Sequence, residues 1–155
     1  MAQGKGSMDI SEIMSRGLVT VGPEYNVADV ASLMRSRGVG SVIVLEDDRV
    51  LGILTERDIL GVVGSGEDPK NVAAHEALTD DLITIAPDAP VEEAAGEMVR
   101  AGVRHLPVIS EQGLIGIVSM RDLVRWSVRG VAESTDLPHI ELSKQVLSLV
   151  QKADK

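Results

Sequence analysis

Gly52-Ile53-Leu54-Thr55-Glu56-Arg57-Asp58 and Gly116-Ile117-Val118-Ser119-Met120-Arg121-Asp122 are one seven-residue phrase written twice in a chain of 155 residues. They lie 64 positions apart, and the same offset aligns residues 19–60 with 83–124 without a gap. Twelve of the forty-two pairs are identical, including Thr20/Thr84, Pro23/Pro87, Gly38/Gly102, Arg57/Arg121 and Asp58/Asp122. A compositional bias would not bring Pro, Gly and Asp into register, so the chain carries two copies of one unit. The sequence order divides it into copy one at 8–64, a linker at 65–69 with Gly, Ser and Pro around it, copy two at 70–129 and an extension at 130–155.

Each copy has the same pattern. A β-rich run (Val19-Thr20-Val21; Ile83-Thr84-Ile85) meets a Pro two residues on. Apolar residues then recur at helical spacing, as Val27, Val30, Ala31, Met34 and as Val91, Ala94, Ala95, Met98. Asn26 with Asp29 marks a helix start, and Gly38 and Gly102 stand where a helix ends on glycine. Ser41–Leu45 with Val50–Leu54, and His105–Ile109 with Leu114–Val118, read as hairpins about polar turns. A second helix follows Thr55 and Ser119, and a short helix precedes each copy at Ile10–Met14 and Val72–Leu78. The fold class is therefore α/β (α+β), made of two β-α-β-β-α units. One such unit leaves an apolar sheet face open, so two are expected to cover each other about a pseudo-twofold axis.

Composition narrows the function. Apolar residues make up 44% of the chain, yet there is one Trp, one Tyr and no Phe, so the core is aliphatic. With a formal charge of −9 and almost no rings, the chain offers neither the stacking platform nor the positive field that nucleic acid needs. No apolar run is long enough to cross a bilayer. Residues 1–7 lack the apolar stretch of a secretory signal, and Met8 is an alternative start. Zero cysteines exclude disulfides, thiolate zinc sites and Cys nucleophiles. A soluble, cytoplasmic protein is expected.

The repeated phrase carries the sharpest chemistry. A hydroxyl residue ends a strand, and an Asp follows three residues later in the first helical turn, which is the pattern of a capping box. The same geometry suits a nucleotide: a helix N-terminus attracts phosphate, and a carboxylate accepts ribose hydroxyls. The residues leave both readings open. Capping requires neither Arg57 and Arg121 nor Gly52 and Gly116. Nine of the ten basic residues between Asp9 and Arg125 are Arg, whose planar fork suits phosphate, and Arg57, Arg104 and Arg121 fall at element ends of the repeat. Gly38-Val39-Gly40 follows a helix and precedes a strand, the reverse of a dinucleotide fingerprint. His75, His105 and His139 share no ligand spacing for zinc, no Gly-x-Ser-x-Gly elbow occurs, and no pair of carboxylates is set apart for hydrolysis. Catalysis has no support, and the expectation is a protein that is not an enzyme.

Gly102-Val103-Arg104-His105-Leu106-Pro107-Val108 and Gly116–Asp122, with degenerate copies at 38–44 and 52–58, resemble a pair of cystathionine β-synthase (CBS) domains, the Bateman module. The resemblance covers residues 8 to 129. It implies a sensor of AMP, ADP, ATP or S-adenosylmethionine, bound in two clefts between the units as a regulatory ligand, with no required cofactor. It implies that Asp58 and Asp122 hold ribose hydroxyls, that Thr55 and Ser119 hold ribose or phosphate, and that Arg104, Arg57 and Arg121 meet phosphate. Thr20, Val21, Thr84 and Ile85, with Gly40-Ser41-Val42 and His105-Leu106-Pro107, would frame the base, between aliphatic side chains rather than rings. Copy two has Arg104-His105-Leu106-Pro107 where copy one has Gly40-Ser41-Val42-Ile43, so the two clefts are expected to be unequal.

Apolar residues on several sides of the helices after Thr55 and Ser119 predict a homodimer. Leu142, Val146, Leu149 and Val150 predict an amphipathic helix in the extension. The resulting expectation is a CBS-pair module that binds an adenosyl ligand and signals to an unknown protein partner, without nucleic acid or membrane. The alternative is a dimerisation module whose Thr/Ser-x-x-Asp segments only cap helices.

Overall fold

The computed structural model describes residues 8–133, in two compact units that do not follow the order of the sequence. One unit is continuous, from Gly17 to Leu82. The other joins the segment before Gly17 to the chain from Ile83 onward. The division thus falls at 16/17 and 82/83, whereas residues 65–69, read above as the linker, lie inside the continuous unit. The two short helices, α1 (Ile10–Ile13) and α4 (Ala74–Ala77), each close the unit opposite to the one their place in the sequence suggests. The residues of the extension that predict a helix, His139 and residues 1–7 lie outside the described residues.

In the continuous unit, β1 (Thr20–Val21) runs parallel to β2 (Ser41–Glu46), which pairs antiparallel with β3 (Arg49–Thr55) in the order β1-β2-β3. Between β1 and β2 lies α2 (Val27–Arg37), and α3 (Glu56–Gly64) follows β3. Asn26 caps α2: its Oδ1 accepts from the Asp29 amide at 2.9 Å, while its Nδ2 donates to Asp29 Oδ2 at 2.8 Å. Gly38 ends that helix at φ 64°, a conformation glycine adopts without the steric penalty of a Cβ. Val27, Val30 and Met34 turn inward onto Val21, Val42, Val44 and Leu54, and Val62, Val72 and Ala74 complete an all-aliphatic core.

The second unit repeats this plan with α5 (Val91–Ala101), β4 (His105–Ser110), β5 (Gly113–Ser119) and α6 (Met120–Glu133). Gly102 ends α5 at φ 67°. Its core gathers Ile10 and Met14 with Val91, Met98, Leu106, Val108, Val118 and Leu123, and Trp126 packs against it partly buried. The first strand of the repeat is reduced here to one bridge, Ile85 to Val108. The cause is local. In the continuous unit the Ile43 amide donates to Val19 O at 3.0 Å, but Pro107 stands at the equivalent place and has no N–H.

The glycines of the repeated phrase have a structural reason. The chain just after α4 lies along β3, with Ile53 and Thr79 exchanging backbone bonds at 3.0 and 2.8 Å. Ile117 and Ser15 do the same in the other unit at 2.9 and 2.8 Å. A Cβ on Gly52 would stand 2.5 Å from Thr79 O, and one on Gly116 would stand 2.7 Å from Met14 Sδ and 2.9 Å from Ser15 O. Glycine at 52 and 116 is thus required by this close approach of backbone, with no ligand needed to explain it.

Candidate functional site

In each unit the strand that begins the hairpin and the helix that follows it meet at one point. Ser41 is the register partner of Thr55, and His105 of Ser119. The first amide of α3 donates to Gly40 O at 3.2 Å, and that of α6 to Arg104 O at 2.9 Å. Residues 40 and 104 therefore hold equivalent positions against a helix N-terminus. One is a glycine with no side chain, and the other is an exposed arginine.

The capping box forms in both copies. Thr55 donates to Asp58 Oδ2 from its amide at 2.7 Å and from Oγ1 at 2.6 Å. Ser119 does the same to Asp122 Oδ2 at 2.8 and 2.6 Å, and the Asp122 amide donates to Ser119 Oγ at 3.3 Å. Each carboxylate thus commits Oδ2 to the cap. At the other oxygen, Thr79 Oγ1 reaches Asp58 Oδ1 at 3.4 Å, and Arg125 Nη1 stands 4.0 Å from Asp122 Oδ1. Both carboxylates are half-buried, so Oδ1 can still accept a hydroxyl from outside. Capping and ribose recognition are compatible here because they use different oxygens.

The structure brings together Gly40, Ser41, Thr55 and Asp58 in one unit and Arg104, His105, Ser119 and Asp122 in the other. Thr20 and Val21 lie against Ile43 and Val44, along β2 from Ser41, and Ile85 lies against Val108. Val21, Val42, Ile85 and Leu106 are buried in the sheets. Thr20 and Thr84 are exposed, as are Arg57 and Arg121 in the first turns of α3 and α6. Thr79 and Arg125 were not singled out from the sequence. Arg125 follows Asp122 at i+3, and extending the offset of 64 upstream pairs Thr79 with Ser15, a hydroxyl in both copies. Among the described residues, no three of His, Asp and Glu converge as metal ligands, and no helix is long and apolar enough to cross a membrane.

The model of the CBS domain family matches residues 10–65 and 74–129. The chain belongs to the CBS-domain family. It is a CBS-pair regulatory module of mixed α+β fold. An uncharacterized protein of Methanopyrus kandleri is 38% identical over 122 residues, 77% of this chain and 62% of that protein, so the chain spans less than two thirds of that relative. The crystal structure of a CBS-domain containing protein from Agrobacterium tumefaciens superposes with a TM-score of 0.70 at 29% identity, covering 76% of this chain and 97% of that one. The CBS domain pair of protein MJ0100, crystallised with 5-methylthioadenosine and S-adenosyl-L-methionine, shares the fold with a TM-score of 0.72 at 20% identity, over 78% of this chain and 96% of that one.

Proposed function

We propose that this CBS pair senses an adenosine-containing ligand, one of AMP, ADP, ATP or S-adenosylmethionine, and passes the state of occupancy to a protein partner in the cytoplasm without catalysing a reaction. The observation that carries this reading is the doubled cluster in which a strand start, a helix N-terminus and a carboxylate with one oxygen outside the cap converge. Fold kinship with a CBS pair crystallised with two adenosyl compounds supports it. Asp58 and Asp122 would accept ribose hydroxyls. Thr55 and Ser119 would orient those carboxylates and meet ribose or phosphate. Arg104, Arg57 and Arg121 would face phosphate, and the aliphatic strand residues would flank the base. Arg104 has no counterpart at Gly40, so the site built around it favours ligands with more phosphate.

A specific surface favours the assembly reading as well. Leu60 and Val63 on α3 are 69% and 56% exposed, and Val124 and Val128 on α6 are 43% and 61% exposed. Leu60 and Val124 are equivalent positions of the repeat. Two copies of an apolar face suit a closed twofold dimer, and a monomer at micromolar concentration in sedimentation would exclude that dimer.

Calorimetric titration with AMP, ADP, ATP and S-adenosylmethionine tests the sensing role. Asp58→Ala and Asp122→Ala should each lower affinity at one site by about tenfold to a hundredfold, the loss of hydrogen bonds to a charged group worth roughly 1.5–3 kcal/mol. Each should also cost about 0.5–2 kcal/mol of stability through the lost cap. A stability loss with affinity unchanged in both variants assigns the two residues to capping alone.

A further inference from the structure

We infer that Arg125 is a specificity-determining residue, which fits the candidate site of the second unit to an adenosine whose ribose carries a phosphate on its 2′ or 3′ oxygen; this rests on the adenosyl reading above. The cap takes Oδ2 of each aspartate and leaves Oδ1, and what stands beside Oδ1 differs between the units. At Asp58 it is a neutral hydroxyl, Thr79 Oγ1, at 3.4 Å. At Asp122 it is a cation, Arg125 Nη1, at 4.0 Å. Continuing the offset of 64 by one residue pairs Arg125 with Gly61, so the second unit has a guanidinium where the continuous unit has no side chain. Arg57 and Arg121 each precede their aspartate by one residue, and so do not distinguish the units.

The distance decides what Arg125 can do. At 4.0 Å it is too far from Oδ1 for a hydrogen bond, and its side chain is 67% exposed against 17% for Asp122, so the pair is a solvated one that adds little to stability. Among the described residues no acceptor lies within hydrogen-bond distance of Arg125. Its five N–H donors thus stand beside the carboxylate without being spent on it. A ribose has two adjacent hydroxyls. When one of them carries a phosphate, the other still donates to Asp122 Oδ1, and the phosphate comes to lie next to that carboxylate. Two anions so placed repel each other unless a cation joins them. An arginine beside the acid that holds a ribose supplies that cation, and its planar fork grips phosphate oxygens in pairs. In the continuous unit Thr79 offers one hydroxyl and Gly61 offers nothing, so a plain ribose suits that site and a phosphorylated one does not.

The test compares 5′-AMP with adenosine 2′,5′-bisphosphate and adenosine 3′,5′-bisphosphate by calorimetry on the full chain, as wild type, Arg125→Gln and Gly61→Arg. A Cβ at Gly61 meets nothing within 4 Å, so the second variant moves the arginine into open space on α3. Wild type should bind one of the bisphosphates about fivefold to tenfold more tightly than 5′-AMP at a single site, and which one it is names the 2′ or the 3′ position. Arg125→Gln should erase that preference with 5′-AMP affinity unmoved, and Gly61→Arg should create a second site with the same preference. A preference retained in Arg125→Gln, or none gained in folded Gly61→Arg, overturns the role of this position. Tighter 5′-AMP binding by Arg125→Gln also overturns it, because Arg125 would then only obstruct Oδ1. Wild type that binds 5′-AMP as well as or better than both bisphosphates overturns the ribose phosphate while leaving the adenosyl reading standing. Binding of none of the three by wild type overturns both.

Discussion

The continuous unit and the discontinuous one share a frame and part company at one strand start. Both place a glycine-ended helix over a hairpin, both close the free edge of that hairpin with a borrowed segment, and both cap the following helix with a hydroxyl and an aspartate. They differ where Gly40-Ser41-Val42-Ile43 faces Arg104-His105-Leu106-Pro107. Two of those four changes would bear on a ligand under the proposed function: an arginine gained beside a helix N-terminus, and a backbone donor removed from a strand pair. The frame tolerates both because residue 40 or 104 gives it only a carbonyl, which accepts from the helix N-terminus, and because Pro107 still gives its carbonyl to the Ile85 amide though it lacks the N–H that Ile43 donates to Val19 O. Positions that serve the fold through the backbone are free to vary their side chains for a ligand.

The largest effect should come from taking away the borrowed segment. Deleting residues 1–16 removes Ile10 and Met14 from the core of the second unit, at roughly 1.5–3 kcal/mol each, together with the hydrogen bonds of Ser15 to Ile117. Trp126, the only tryptophan, reports on that unit alone. Its fluorescence transition should fall well below that of the full chain, while circular dichroism retains a transition for residues 17–82. An unchanged Trp126 transition would show that the segment is dispensable.

A smaller effect is expected from Gly116→Val and Gly52→Val, each about 1–3 kcal/mol for forcing a side chain against backbone. Hydrogen exchange should localise the damage, at Ser15 and Ile117 for the first and at Thr79 and Ile53 for the second. Gly116→Val should add almost nothing to the truncated chain, because the groups it strikes are already gone.

The smallest contrast concerns helix starts. Asn26→Ala should cost about 1 kcal/mol, since Asn26 caps α2. Pro90, its counterpart, has nearly the same backbone angles and no capping side chain, so Pro90→Asn should stabilise the second unit by less than about 1 kcal/mol. Thermal melts of the two variants read the difference directly.

Much of this was legible from residues alone, for reasons that are local. Asn26 with Asp29, Gly38 and Gly102, and the strand runs about polar turns are signals within a few residues, and the structure bears each of them out. The exchange of α1 and α4 was not legible, because Ile10 and Met14 are apolar residues that either core would accept; only the path of the chain decides between them. Gly52 and Gly116 were ambiguous from sequence, since a glycine beside a cap can serve a ligand or a neighbouring backbone, and Thr79 O and Ser15 O show that it is the backbone. The run at 83–85 has the composition of a strand, yet Pro107, far along the chain, denies it one rung. As for the site, the capped carboxylates were visible in the repeated phrase, while the use of Oδ2 alone for the cap needed the geometry.

The central claim, that one frame carries two unequal adenosyl sites, is tested most directly by titrating wild type and Arg104→Ala with ATP and adenosine at low and moderate salt. Wild type should show two classes of site for ATP, the tighter one weakening as salt rises, and Arg104→Ala should abolish that tighter class while leaving adenosine affinity nearly unchanged. Two identical sites unaffected by the substitution, or no heat of binding at all, would contradict it.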